Sequence, residues 1–215
     1  MKKWIFGISL LLCLGSTEAL AVDKLKLAQA TVSVHVPSFG VTYRGTGVLI
    51  TPNKVLTAKH CFMENGKFLS SGYIQDFSQN LVWFKIVELD KDSDLAIITL
   101  ELPLPYEPLN ISRCMIIEGS NVWAVSWEEP VYKVREATIG ETSTVLALSP
   151  TAKPRFERLT AFKPPVNLGT SGACLVDDYT EIVGIVSTSN PFTSASVPQM
   201  KIIEFLTEKG LLGDE

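Results

Sequence analysis

Apolar and polar residues alternate along most of this chain. Thr31–Val36 (TVSVHV) turns its valines to one side. Gly45–Pro52 (GTGVLITP) and Lys54–Ala58 (KVLTA) are apolar runs on either side of the turn-forming Pro52-Asn53. The series continues with Leu81–Leu89, Leu95–Leu100, Asn121–Trp127, Val131–Ile139, Ser143–Ser149, Phe156–Phe162, Ala173–Asp177 and Glu181–Ser189. These segments are short, rich in Val, Ile and aromatic residues, and bounded by Gly, Pro, Asn or Asp. That is the signature of strands, and many short strands with regular turns predict a β-sandwich or β-barrel.

The C-terminal end breaks the pattern. In QMKIIEFLTEKG, Ile202, Ile203, Phe205 and Leu206 fall at helical spacing and Gly210 supplies a stop. One amphipathic helix is therefore expected to close an otherwise β chain. Leu100–Asn110 (LELPLPYEPLN) carries Pro103, Pro105 and Pro108, which interrupt strand pairing. Read as a linker, it divides the chain into β-rich halves over residues 22–105 and 106–215, with no clear sequence repeat between them.

The N-terminus, MKKWIFGISLLLCLGSTEALAVDK, has a basic start at Lys2 and Lys3, an apolar run from Trp4 to Leu14 and the small-residue pattern Ala19-Leu20-Ala21. This predicts a secretory signal peptide over residues 1–21 and a secreted or periplasmic product. The apolar run is shorter than the roughly 20 residues of a membrane span, so no membrane anchor is expected after cleavage. Cys13 reads as apolar filler within that run. Cys61, Cys114 and Cys174 remain, and an oxidising compartment permits one bridge among them with one thiol left over.

Composition narrows the function classes. Of the 215 residues, 46% are hydrophobic and 20% charged, which suits a globular chain with a sizeable core. The formal net charge of −4 argues against nucleic-acid binding, which calls for a basic face. Two histidines and three unspaced cysteines make no zinc site, and no cofactor is implied. Asp90, Asp92 and the pair Asp177-Asp178 read as turn residues. Asn110-Ile111-Ser112 is a glycosylation sequon relevant only in a eukaryotic secretory pathway.

The candidate chemistry begins at VNLGTSGACLVDD, where Ser171 sits in a glycine-flanked turn ahead of a strand. A serine hydroxyl needs a base within hydrogen-bond reach to act as a nucleophile. Of the two histidines, His35 occupies a strand position and reads as structural. His60 follows two strands joined by a tight turn, in VLTAKHC. Downstream, KDSDLAIITL places Asp94 at the entrance to a buried-looking strand. Imidazole suits the base because its pKa lies near neutrality, and a carboxylate behind it fixes the tautomer. Glycine at 169 permits the turn that would aim backbone N–H groups at an oxyanion.

In this order, VLTAKHC resembles the TAAHC motif of the chymotrypsin/trypsin-like serine proteases, DSDLAIITL their DIALL element, and GTSGACL their GDSGGPL motif; GIVSTSN is similar to the strand that follows. The resemblance covers about residues 29 to 209. It implies two packed antiparallel β-barrels with a C-terminal helix, catalytic His60 and Asp94 from the first barrel, and catalytic Ser171 from the second. It further implies oxyanion donors at the N–H groups of Gly169 and Ser171, and a polypeptide substrate cleaved through an acyl-enzyme. By offset from Ser171, substrate-binding residues fall at Pro165, Val166, Ser187, Thr188 and Ser189. No acid stands at the pocket base, so cleavage after Lys or Arg is not implied; a small or medium apolar side chain is.

The departures are specific. Thr170 stands where trypsin-like enzymes carry the aspartate that pairs with a newly released N-terminus, and VDKLKLAQA is not the matching start. Activation by such a cleavage is therefore not expected. Ala173 and Cys174 replace Gly-Pro. The cysteine that would bridge Cys61 should lie near Arg44 and is missing. These changes motivate an alternative, a protease-fold binding protein that no longer cleaves. The sequence leaves open the natural substrate, the oligomeric state and the disulfide pattern.

Overall fold

The computed structural model describes residues 22–38, 40–128, 131–147, 155–167 and 169–212. The expected signal peptide over residues 1–21 lies outside these. The described elements are α1 (Lys24–Ala30), β1 (Thr31–Ser38), β2 (Val41–Thr51), β3 (Lys54–Thr57), a 3-10 turn (Lys59–Phe62), β4 (Met63–Glu64), β5 (Lys67–Phe68), β6 (Tyr73–Gln75), β7 (Leu81–Leu89) and β8 (Ala96–Leu100). They continue with β9 (Asn121–Glu128), β10 (Val131–Ala147), β11 (Arg155–Lys163), β12 (Cys174–Val176), β13 (Ile182–Ser189), β14 (Ser194–Pro198) and α2 (Gln199–Glu208).

The strands close into two antiparallel barrels, β1-β2-β3-β8-β7-β6 and β10-β11-β14-β13-β12-β9, with β4 and β5 forming a separate hairpin. Numbered within each barrel, both run in the same cyclic order, 1-2-3-6-5-4. Two halves without a visible sequence repeat thus share one topology. Closure removes open sheet edges, which is why such short strands suffice.

The first barrel is filled by aliphatic side chains. Val32, Val34, Val48, Leu49, Val55, Leu56, Ile97 and Ile98 are all fully buried. The β2–β3 hairpin turns at Pro52-Asn53, with Thr51 opposite Lys54. The second barrel has a smaller apolar centre around Phe162, Leu175, Val183 and Val186. Ser187, Ser194 and Ser196 are buried beside it. The proline-rich stretch runs along the first barrel, where the Leu104 and Leu109 amides donate to the carbonyls of Pro52 and Leu49 at 2.7 and 2.9 Å. Helix α2 packs Ile202, Phe205 and Leu206 into the larger of the two cores.

Some elements differ from the expected ones. A second helix, α1, precedes the barrels. Its Asp23 cap accepts from the amides of Leu25 and Lys26, while Leu27 and Ala30 are buried. Seven residues are too few to give a clear period, and tertiary packing holds the helix. Val131–Ile139 and Ser143–Ser149, expected as separate strands, belong to one strand, β10, over the described residues. Gly140-Glu141 is absorbed as a register shift between Ile139 and Thr142 and does not end the strand. Strands β6 and β14 escaped the pattern, β6 because it has three residues and β14 because its sequence, SASVP, is small and polar. The single disulfide allowed by composition is not formed: Cys61, Cys114 and Cys174 are all free. Among the described residues, no helix is long and apolar enough to cross a membrane.

Candidate active site

Strand register places the histidine and the acid together. Strands β3 and β8 pair with Thr57 opposite Ala96. His60 lies in the 3-10 turn just beyond β3, and Asp94 two residues before β8 begins. Asp94 is fully buried, and Leu95 beside it is too. A carboxylate is held there only if its oxygens are satisfied. Oδ1 accepts the backbone N–H of His60 at 2.9 Å, and Oδ2 lies 2.6 Å from His60 Nδ1. Ser187 Oγ donates to the same Oδ2 at 2.6 Å.

The other ring nitrogen of His60, Nε2, lies 2.8 Å from Ser171 Oγ. Ser171 belongs to the turn before β12, and this turn presses directly on the first barrel. The Ser171 carbonyl accepts the amide of Thr46 on β2 at 2.8 Å. The Thr46 hydroxyl also reaches the carbonyl of Gly169 at 3.3 Å. One β2 residue thereby holds both sides of the turn. Gly172 has φ +83°, and a Cβ there would lie 2.1 Å from the Thr46 carbonyl and 2.2 Å from Thr57 Oγ1. Only glycine meets both demands, the left-handed backbone and the close approach. The turn also closes on itself, since Ala173 donates to the Thr170 carbonyl at 2.8 Å and Thr170 Oγ1 donates to Asn167 O at 2.6 Å.

The residues anticipated as site groups fall into two sets. His60, Asp94 and Ser171 form one connected line. Gly169 adopts φ +90°. Ser187, read as a pocket wall, donates its hydroxyl to Asp94. Pro165 and Thr188 are half-buried, while Val166 is buried and bonded to Ser194. Thr46 and Ser194 were not anticipated. Each looks like an ordinary strand residue in sequence, and only the packing of β2 and β14 against the turn segment reveals their positions.

The thiols are poorly placed to replace Ser171. Burial, then the charge of Asp94, pushes the Cys61 thiol far up. Burial pushes Cys174 up to about 12. His35 is buried on β1 and stacked on Tyr73 with ring centroids 4.7 Å apart. Burial, then Arg44, lowers its pKa. A cavity of about 390 Å³ is lined by Gly169 together with Arg44, Trp127, Glu128, Lys133 and Asn167. There Glu128 accepts from Lys133 at 2.5 Å and from Asn167 at 2.8 Å.

The family pattern of the trypsin-like peptidase domain matches residues 45–185, a span that holds His60, Asp94 and Ser171. The chain belongs to this family. Its fold is similar to the Rv3671c protease of M. tuberculosis in its active form, with a TM-score of 0.73 and 18% identity over 89% of this chain and 85% of that one. The inactive form of that protease matches with a TM-score of 0.69 and 19% identity, covering 86% and 91% of the two chains. The HtrA-type protease AlgW, solved with a tripeptide, matches with a TM-score of 0.66 and 17% identity, covering 85% and 62%. At such identities the likeness is one of fold. A search of curated protein sequences gave no match. The trypsin-like peptidase fold thus has its two barrels and interbarrel turn here, with threonine at the position before the serine.

Proposed function

We propose that this chain is a secreted or periplasmic serine endopeptidase in which Ser171 is the nucleophile, His60 the general base and acid, and Asp94 the group that orients His60. The observation that carries this reading is the unbroken line Asp94–His60–Ser171, at 2.6 and 2.8 Å. Ser171 Oγ attacks the scissile carbonyl and passes its proton to His60 Nε2. The oxyanion formed is received by the Gly169 and Ser171 amides. Collapse breaks the C–N bond, and His60 returns the proton to the departing amine. Water then repeats the sequence on the acyl-ester, releasing a carboxylic acid and restoring Ser171. Asp94 remains ionised and stabilises the imidazolium.

No newly released N-terminus is needed in this reading. Thr170 is buried and satisfied within its own turn, and Asp23 instead caps α1 beside the first barrel. Secretion follows from the N-terminal pattern of residues 1–21. A non-cleaving binding protein of the same fold is the rival.

An alkyl fluorophosphonate probe separates the two. Unprocessed mature protein is expected to be labelled between about pH 6 and 9, where imidazole can serve as base. Labelling should vanish in Ser171→Ala and fall steeply in His60→Ala. Folded wild-type protein that stays unlabelled throughout this range rules the peptidase out.

A further inference from the structure

We infer that Glu128 is a positioning residue for catalysis: acting through Asn167, it holds the turn whose Gly169 and Ser171 N–H groups receive the oxyanion. This rests on the endopeptidase reading. Glu128 ends β9, away from the line Asp94–His60–Ser171, and reaches the turn through its carboxylate.

Strand register builds the anchor. Between β9 and β10, Glu128 lies opposite Val131, Ser126 opposite Lys133 and Ala124 opposite Arg135. Cross-strand partners share a face, and so do residues two apart along a strand, so Ser126, Glu128, Lys133 and Arg135 gather on one face. The Glu128 side chain is 7% exposed. Arg135 grips it with both ends of its fork: Nη1 lies 2.8 Å from Oε1, and Nη2 donates to Oε2 at 2.9 Å. Lys133 Nζ donates to Oε2 at 2.5 Å and Ser126 Oγ to Oε1 at 3.3 Å. Burial works against the charged form, but Lys133, Asn167 and Arg135 outweigh it and hold the Glu128 carboxyl below the usual range. An ionised carboxylate only accepts hydrogen bonds. Asn167 therefore meets it with its amide nitrogen, which donates to Oε2 at 2.8 Å.

The two ends of the turn are held unequally. At its downstream end the Ser171 carbonyl takes the Thr46 amide, and Gly172 lies hard against β2 and β3. At Gly169 the turn is open: among the described residues, no atom lies within 4 Å of where a Cβ would stand, and the residue lines the 390 Å³ cavity. Packing does not fix this side, so directional contacts must. Asn167, two residues before Gly169, is itself exposed. Its side chain is nonetheless committed to Glu128, and its carbonyl accepts the Thr170 hydroxyl at 2.6 Å. Asn167 thereby links the ion cluster on β9 to the residue next to the nucleophile. Donors held in place before the reaction cost no reorganisation when the oxyanion forms. Without Glu128, Asn167 is released to water and the Gly169 N–H can turn away. The transition state then loses stabilisation while ground-state binding is untouched.

Hydrolysis of p-nitrophenyl butyrate tests this, with kcat and KM expressed per folded protein and alkyl fluorophosphonate labelling run beside it. In Glu128→Ala, kcat should fall at least about tenfold, approaching the 10²–10³ lost with a whole oxyanion donor, while KM stays within about twofold. Asn167→Ala should match it, and the double variant should lose little more, because both break one contact. Glu128→Gln keeps an acceptor oxygen for Asn167 and should recover part of the loss. A Glu128→Ala protein that unfolds more easily but keeps its kcat, or changes KM alone, overturns the role of Glu128. Additive losses in the double variant overturn the route through Asn167. If Glu128→Ala does not fold, Asn167→Ala at an exposed position decides, and an unchanged kcat there overturns the proposal. Wild-type protein that neither hydrolyses the ester nor takes the fluorophosphonate overturns the peptidase and the role of Glu128 together; active wild type with unaffected variants overturns Glu128 alone.

Discussion

The two barrels share a strand order but hold their site residues by different means. In the first, His60 and Asp94 lie just outside the paired strands β3 and β8, above fully buried Leu56, Phe62, Ile97 and Ile98. In the second, Ser171 stands on a turn joined to β12, a strand of three residues, and is positioned by hydrogen bonds and glycine backbone. Near it, the hydroxyl of Ser187 donates to Asp94, and those of Ser189 and Ser194 meet at 2.7 Å. The first barrel thus fixes its groups through register and packing, which resist small changes. The second fixes its groups through directional contacts, which single atoms can undo. His60 and Asp94 thus sit on the half held by packing, and Ser171 on the half held by directional contacts.

On the proposed mechanism the largest effects ignore this difference, because His60, Asp94 and Ser171 would act as one unit. Ser171→Ala or His60→Ala is expected to lower kcat by about 10⁶-fold, and the double variant by little more, as measured by single-turnover ester hydrolysis. Asp94→Asn should cost about 10⁴-fold, the size seen when the acid of such a triad becomes an amide and His60 takes the wrong tautomer. Additive losses in the double variant would show that the barrels act independently.

Stability should expose the difference. Phe62→Ala empties a fully buried site beneath the His60 turn and is expected to cost about 3–5 kcal/mol in denaturant unfolding. Gly172→Ala drives a Cβ into β2 and β3 and is expected to cost about 2–4 kcal/mol while abolishing probe labelling. A Gly172→Ala protein with full labelling would contradict the tight seating of the turn.

Smaller changes test individual contacts. Ser187→Ala removes a hydrogen bond to a buried carboxylate, so stability should fall by about 1.5–3 kcal/mol in denaturant unfolding. The smallest effect concerns the thiols. Raised pKa values leave Cys61 and Cys174 protonated at pH 8, so native protein treated with iodoacetamide should be modified at Cys114 alone among these three. Unfolding in denaturant should release the other two.

The sequence was most legible where chemistry and pattern coincide. His60 is one of two histidines, and its turn follows a readable hairpin; Asp94 enters an unmistakable apolar strand. Ser171 announced itself by its glycines. The supports did not. Thr46 sits in a run that reads only as strand, and its two contacts to the turn join residues 123 or more positions apart in the chain. Ser187 was read as a pocket wall because chain offset cannot say which way a hydroxyl points. Strand β14 went unread because Ser194 and Ser196 look like loop residues until their buried hydroxyls find partners.

The sequence by itself determined the β-rich character, the division into halves and the three groups of the candidate triad, because these depend on local periodicity and on scarce residue types. The tertiary structure alone decided that both barrels run in one strand order, that Gly172 must be glycine to seat the turn, and that the hydroxyls of Ser189 and Ser194 meet between β13 and β14. Each of these depends on distances of a few ångströms between segments far apart in the chain, where a single methyl group or hydroxyl changes the outcome.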